Sequence, residues 1–358
     1  MRDKHLHIAH DSELLRSIHR KVDTELSMPK SLFRTILWSK LVFYVSTTVL
    51  FYWLLYVTKD PVLFVVVFVA FGFSALLFAF NFAHDLSHGT VFRKEKWDDL
   101  GFILIYAING AHGEAWKQRH VESHHFAPNV EHHDSDLEIS DIIRVIPNSK
   151  HLWFHKFQHI YAPLAYTTYS LFWILVKDFA ILYSGKPKSV GHHTSFWVQK
   201  VFYFTYLLAL PIMFSQQAWP VVVIGFLAMH LLQSLFLLLT FFMTHHVEGL
   251  EYPTVTDEGI INTSWVMNQI KSSNDMHPFS FMANFILGGF NNHIAHHLFP
   301  HVHHIYYPEL NRILYRELIA NGIQPNETSY WGGIVSHLKL LRRMGNEEEV
   351  GVNLYPSR

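Results

Sequence analysis

Cysteine is absent from the 358 residues. That excludes disulfides, thiolate zinc sites and cysteine-held iron–sulfur clusters within the chain, so any metal must be held by nitrogen and oxygen. Charge is scarce too: Asp, Glu, Lys and Arg make up 16%, against about a quarter in an ordinary soluble domain. With a net charge of −1 there is no electrostatic reason to expect nucleic acid as a partner. The opening Met1-Arg2-Asp3-Lys4-His5 is polar and no apolar stretch follows until Ile36, which argues against a cleaved signal peptide. No low-complexity linker marks a second domain. Apolar residues, by contrast, reach 50%, with 30 Phe, 16 Tyr and 10 Trp, the aromatic surplus expected where rings sit at a lipid–water boundary. Histidine is the outlier, its 28 copies equalling Lys and Arg combined.

The apolar runs set the architecture. Residues 36–57 and 62–83 each have the roughly 20 residues a spanning helix needs, and Thr58-Lys59-Asp60-Pro61 leaves room only for a tight hairpin. Runs 160–183, 197–214 and 219–243 follow, the last two joined by Ser215-Gln216-Gln217-Ala218. Segments 101–110 and 279–290 are too short to cross. If all histidine clusters build one site, an even number of crossings separates His125 from His245, so one of the three later runs does not cross. Run 160–183 carries Pro163, Lys177 and Asp178 and is expected to be interfacial or re-entrant. The expected fold is an all-α integral membrane protein with four transmembrane helices in two hairpins, interfacial helices and a cytosolic histidine-rich catalytic domain. Its divisions are a cytosolic segment 1–35, a membrane domain 36–345 and a tail 346–358. Lys59 alone among the basic residues then falls on the far side, which places both termini and the site in the cytoplasm.

Helical geometry puts positions i, i+3 and i+4 on one face. His293, His296 and His297 have that spacing, as do His84 with His88, and His120 with His124, to which His125 is adjacent. His245 emerges directly after the last span. Nine imidazoles are too many for one metal ion and suit two, and imidazole by itself leaves iron, copper, zinc and nickel open. Asp85, Glu122, Asp134, Asp136 and Glu248 are near enough in sequence to orient the ligands. Asn291 and Asn292 offer either a weak oxygen ligand or a helix cap. His246, His132, His133, His301, His303 and His304 are expected in supporting or surface roles. His230, about 22 Å of helix from His245, is too distant to ligate.

These boxes, with Trp116-Lys117-Gln118-Arg119 before the second, Gly288-Gly289 before the third, Leu298-Phe299-Pro300 after it, and further matches at Glu248, Glu251-Tyr252-Pro253, Trp265, Gln269 and Tyr307-Pro308, resemble the membrane fatty-acid desaturase family over residues 60–325. The resemblance implies a centre of two iron ions that activates O2 and inserts a cis double bond into a fatty acyl chain, with His84, His88, His120, His124, His125, His245, His293, His296 and His297 as ligands. It implies an acyl substrate on CoA, a carrier protein or a lipid, and electrons from an external ferredoxin or cytochrome b5. The setting is a bacterial inner membrane or the endoplasmic reticulum. Two departures stand out. Related front-end enzymes often carry Gln where this chain has His293, together with a fused cytochrome b5 domain whose His-Pro-Gly-Gly motif is lacking here, so front-end chemistry is not expected. Ala295 also replaces a Glu common in relatives. The nearest rival is a lipid or carotenoid hydroxylase or ketolase with the same metal cage. A metal transporter or haem-binding carrier would need its ligands inside the spans, where these clusters are not.

Overall fold

The computed structural model describes residues 4–135, 137, 141–147, 149–184 and 188–346. Asp136 and all of the expected tail after Asn346 lie outside the described residues. Helix α1 (Ala9–Glu25) precedes α2 (Lys30–Val57) and α3 (Pro61–Phe78), which continues through a π turn at Ala79–Ala83 into His84–Ser87. Next come α4 (Glu95–Ile108) and α5 (Gly113–Gln118), the latter running into a second π segment at Arg119–His124. After α6 (Gln158–Tyr166), α7 (169–183) and α8 (Val190–Phe204) stands the long α9 (Trp219–His245). Short helices α10 (Trp265–Lys271), α11 (Phe281–Leu287) and α12 (His293–Leu298) lead to α13 (Tyr307–Ala320) and α14 (Tyr330–Asn346). Two two-residue strands, β1 (Asp275–Met276) and β2 (Glu327–Thr328), pair in parallel.

Among the described residues, four helical stretches are long and apolar enough to cross a membrane: Lys30–Val57, Pro61–Ser87, Val190–Phe214 and Trp219–His245. The first and third begin earlier than the hydropathy of runs 36–57 and 197–214 suggests. Helix growth is cheap once nucleated, and the third has its own start signal, the Ser189 hydroxyl accepting from the His192 amide at 3.1 Å. Run 160–183 is broken near Thr167 into α6 and α7 and is not among the four.

Helix α3 is the central one, packed on both α2 and α9. Its close approach to α9 depends on Gly72, where a Cβ would run into Met229 and would lie 2.8 Å from the Gln233 oxygen. The two tight connectors lie together, because the Gln217 amide donates to the carbonyls of Thr58 (2.9 Å) and Lys59 (2.8 Å). At the opposite end of α3 and α9 are His84 and His245. There α1 packs Leu14, Ile18 and Val22, one apolar residue per turn, into a core with Ile294 and Leu298 of α12 and Leu310 and Leu314 of α13. Residues 9–25 therefore help to hold the helix that carries the third box.

Candidate metal centre

The helices deliver all nine histidines to one buried place and sort them into two quartets. His84, His88, His120 and His296 form one; His124, His245, His293 and His297 form the other, with ligand nitrogens in each group within 4.8 Å of one another. His125 lies between them, its ring 4.5 Å from His296 and 4.6 Å from His297.

The sorting follows from a local departure from α geometry. Ordinary helical spacing would turn His120 and His124 toward one point. Instead the segment Arg119–His124 widens, and the His125 amide bonds the His120 carbonyl five residues back at 3.1 Å. His120 and His125 then share a face, with their Nε2 atoms 3.2 Å apart, while His124 swings to the other quartet. Such π turns recur at functional sites. In box three the α spacing holds for the pair His293 and His297, and His296 crosses to the first quartet.

Partners fix the tautomers in the second quartet. His124 Nδ1 is 3.0 Å from Asp134 Oδ2, His245 Nδ1 is 2.8 Å from the Ser272 carbonyl, and His297 Nδ1 is 2.8 Å from Gln269 Oε1. Each of those oxygens only accepts, so each Nδ1 carries the proton and each Nε2 presents a lone pair. Yet Nε2 of His245 is 3.0 Å from that of His124, 3.2 Å from that of His297 and 2.7 Å from that of His293. In the contacts of His245 with His124 and His297, where all three Nδ1 atoms hold the proton, the Nε2 lone pairs face one another and repel, and a shared cation removes the repulsion. In the first quartet, Nε2 of His84, His88 and His296 are buried without a hydrogen-bond partner. Burial holds His88, His120, His125, His293, His296 and His297 well below the ordinary imidazole range, and the neighbouring rings push the same way. Neutral, convergent imidazoles are what a pair of borderline transition-metal ions requires.

Supporting residues divide into those that reach the site and those that do not. Asp134 does, and its Oδ2 also accepts from the Asn129 amide at 3.0 Å. Asn129 in turn donates to the His245 carbonyl at 3.0 Å. Asp85 points away from the quartets toward His304, with Nδ1 of that ring 2.5 Å from Oδ2; Lys40 of α2 meets the other side of the ring at 2.6 Å. Glu122 lies on an exposed face, and Glu248 faces Arg343 at 3.9 Å. The Asn292 side chain does not cap α12, since it donates to the Pro278 carbonyl. That cap comes from Asp275, which accepts from the Ile294 amide at 2.9 Å while bonding Asn311 and Tyr315. Burial raises the Asp275 carboxyl to about 7 against those bonds. No sequence pattern points to Asp275, because it lies outside the boxes and reaches α12 only through the fold. His246 bonds Tyr252 at 3.1 Å, and His230 sits in a polar seam with Ser170 and Tyr203, each at 2.7 Å. His303 and His304 are buried beside Asp85, and His301 and His132 are exposed.

An apolar cavity of about 140 Å3 opens onto this centre. His84, Trp116 and Phe290 line it at the histidine end, and Leu76 and Gln233 lie deeper between α3 and α9. Eight residues separate Leu76 from His84, so the cavity extends about 12 Å along α3. Trp116 stacks on the His120 ring at 4.5 Å, joining the cavity wall to the first quartet.

Comparison with known proteins places the chain. The family model described as fatty acid desaturase matches residues 59–328. An acyl-lipid (8-3)-desaturase of Physcomitrium patens is 30% identical over 240 residues, 64% of this chain and 49% of that protein. An acyl-lipid (8-3)-desaturase of Mortierella alpina is 28% identical over 296 residues, 77% and 64% of the two chains. An sn-1 linoleoyl-lipid 6-desaturase of Arthrospira platensis is 26% identical over 239 residues, 65% and 64%. The chain thus matches about half to two thirds of the length of these relatives.

Proposed function

The chain belongs to the fatty acid desaturase family, and from that premise we propose that it inserts a double bond into a fatty acyl chain, with iron held by the two histidine quartets and His125. The observation that carries this reading is the coincidence of two sets of neutral imidazoles, aimed inward, with the mouth of an apolar cavity. Iron in these sites would supply the oxidising power that an unactivated C–H bond demands and that redox-inert zinc lacks.

The protein's own residues do the rest. Asp134, the Ser272 carbonyl and Gln269 keep each Nδ1 protonated so that Nε2 remains a ligand. The cavity binds the acyl tail by apolar burial, excludes water and holds a chosen methylene pair beside His84 and Trp116. The overall balance is two hydrogens from the acyl chain, two electrons from an external donor and two protons, which together take O2 to two waters. Ferredoxin or cytochrome b5 would fill the donor role. The relatives named above act, by their names, on acyl lipids, and we place the acyl group of this chain on a lipid. The positions in those names, 8-3 and 6, give no backing to the expectation that His293 turns the chain away from front-end chemistry.

We place the termini and the site on the cytoplasmic face of a two-hairpin arrangement; the meeting of the two connectors at one end, with the histidines at the other, and the excess of basic residues outside the connectors support that reading. The test is expression in a host with an active donor, followed by fatty-acid profiling. New unsaturation is expected, and an inserted oxygen would establish the hydroxylase reading instead. His297→Ala should abolish turnover and lower bound iron; full iron content with wild-type turnover would refute the ligand assignment.

A further inference from the structure

Among the described residues, two groups outside the quartets bring three metal-type donors within 4.8 Å: Asp85 with His303 and His304, and His112 with Glu114 and His192. The first already meets a basic side chain of the protein, because Lys40 Nζ sits 2.6 Å from His304 Nε2. The second has no such occupant. Lys200, whose charge acts on His112, is spent on Asp178 (2.6 Å) and the carbonyls of Gly110 (2.8 Å) and Ile174 (3.0 Å).

That buried ion pair also builds the second site. Asp178 accepts from the His112 amide at 2.9 Å while Lys200 holds the Gly110 carbonyl, so the backbone leading to His112 is fixed at both ends. Gly110 has φ +79°, and a Cβ there would lie 2.7 Å from the Tyr203 ring. His192, Phe196 and Lys200 occupy successive turns of α8. Phe196 packs 5.5 Å from the His112 ring, and the His192 ring is 4.9 Å from it. Glu114 completes the group from the first turn of α5, with Oε2 2.7 Å from His192 Nδ1. His112 is buried, and desolvation with the nearby His192 holds its pKa below the ordinary value, keeping a lone pair available.

We propose that His112, Glu114 and His192 form a third metal site, separate from the quartets, that takes one borderline divalent cation of the zinc class through two imidazoles and one carboxylate. Two nitrogens and one oxygen suit such an ion, with water in the remaining positions on the exposed Glu114 side. The segment that carries it lines the acyl cavity with Ala111 and Trp116. An ion there ties the entry of box two to the start of the third span and stiffens that wall. This inference does not rest on the desaturase reading.

The test uses the purified, iron-loaded full chain in detergent, equilibrated with zinc sulfate and desalted, with zinc and iron both quantified. Glu114→Gln and His192→Gln alter side chains at the edge of the site and leave the quartets intact. Wild type should hold one zinc more per chain than either variant, whose zinc affinity falls at least about tenfold; iron stays equal in all three. Zinc should also raise the unfolding temperature of wild type and not of the variants. His297→Ala should keep this zinc. Equal zinc in wild type and both variants, or no zinc-dependent stabilisation of wild type, would overturn the proposal and leave a surface ion pair between His192 and Glu114.

Discussion

Asp134 shows how much a single side chain contributes here. It accepts from His124 Nδ1, which turns Nε2 toward the second quartet, and it holds the Asn129 amide that reaches His245. Asp134→Asn keeps the size but can turn its amide toward His124, favouring the wrong tautomer. Iron affinity or turnover should fall about 10- to 100-fold, checked by iron content and product yield. The acidic residues also mark the limit of reading by proximity. Asp134, ten residues after His124, is a partner; Asp85, next to His84, serves His304 instead. Adjacent helical residues point about 100° apart, so a neighbour in sequence faces away from the histidine it adjoins. Asp275 carries no local signal, because its work is to cap a helix that begins 18 residues later.

At the scale of elements, the glycines before box three act through close approach. Gly288 ends α11 at φ +60° and lies against the carbonyl of Phe80 in the π turn of α3. Gly288→Ala would strain the backbone and push α12 from α3. A cost of about 1–3 kcal/mol is expected, read as a lower unfolding temperature together with reduced iron. Ala79 lies in the same π turn and lines the cavity. Ala79→Phe would fill part of the acyl path, so the products should shift toward chains at least two carbons shorter, measured by fatty-acid profiling. Unchanged chain length would show that the acyl tail takes another route. The box-two helix makes the same point about legibility: its histidines are plain in the sequence, but the π turn that divides His120 from His124 is not. A π turn depends on hydrogen bonds shifted by one residue, and no residue type specifies it.

For the molecule as a whole, buried neutral histidine is a liability in acid. His88, His120, His125, His293, His296 and His297, together with His337, whose pKa burial lowers to about 4, resist protonation when folded, whereas the unfolded chain takes up protons below about 6.5. Between those values the unfolded state binds more protons, so stability is complete above about 6.5 and falls as pH drops toward 4. The unfolding temperature in detergent should therefore be lower at pH 5.5 than at pH 7.5, and bound iron should be lost over the same range because its ligands must be deprotonated. An unfolding temperature that rises on acidification would contradict this burial of neutral rings.

By itself, the sequence determined that the chain is helical, that it has apolar runs of membrane length, and that nine histidines in short clusters lie outside those runs with cysteine nowhere available. Those features are local: hydrophobic length, turn residues and i, i+4 spacing are written in consecutive positions. Only the tertiary structure decided which imidazole joins which quartet, that Lys40, from the first long helix, answers Asp85 after the second through His304, and that His112 and His192, 80 residues apart, meet beside Glu114. Each of these depends on segments distant in the chain being brought within a few ångströms, and on hydrogen bonds whose partners are chosen by packing rather than by sequence order.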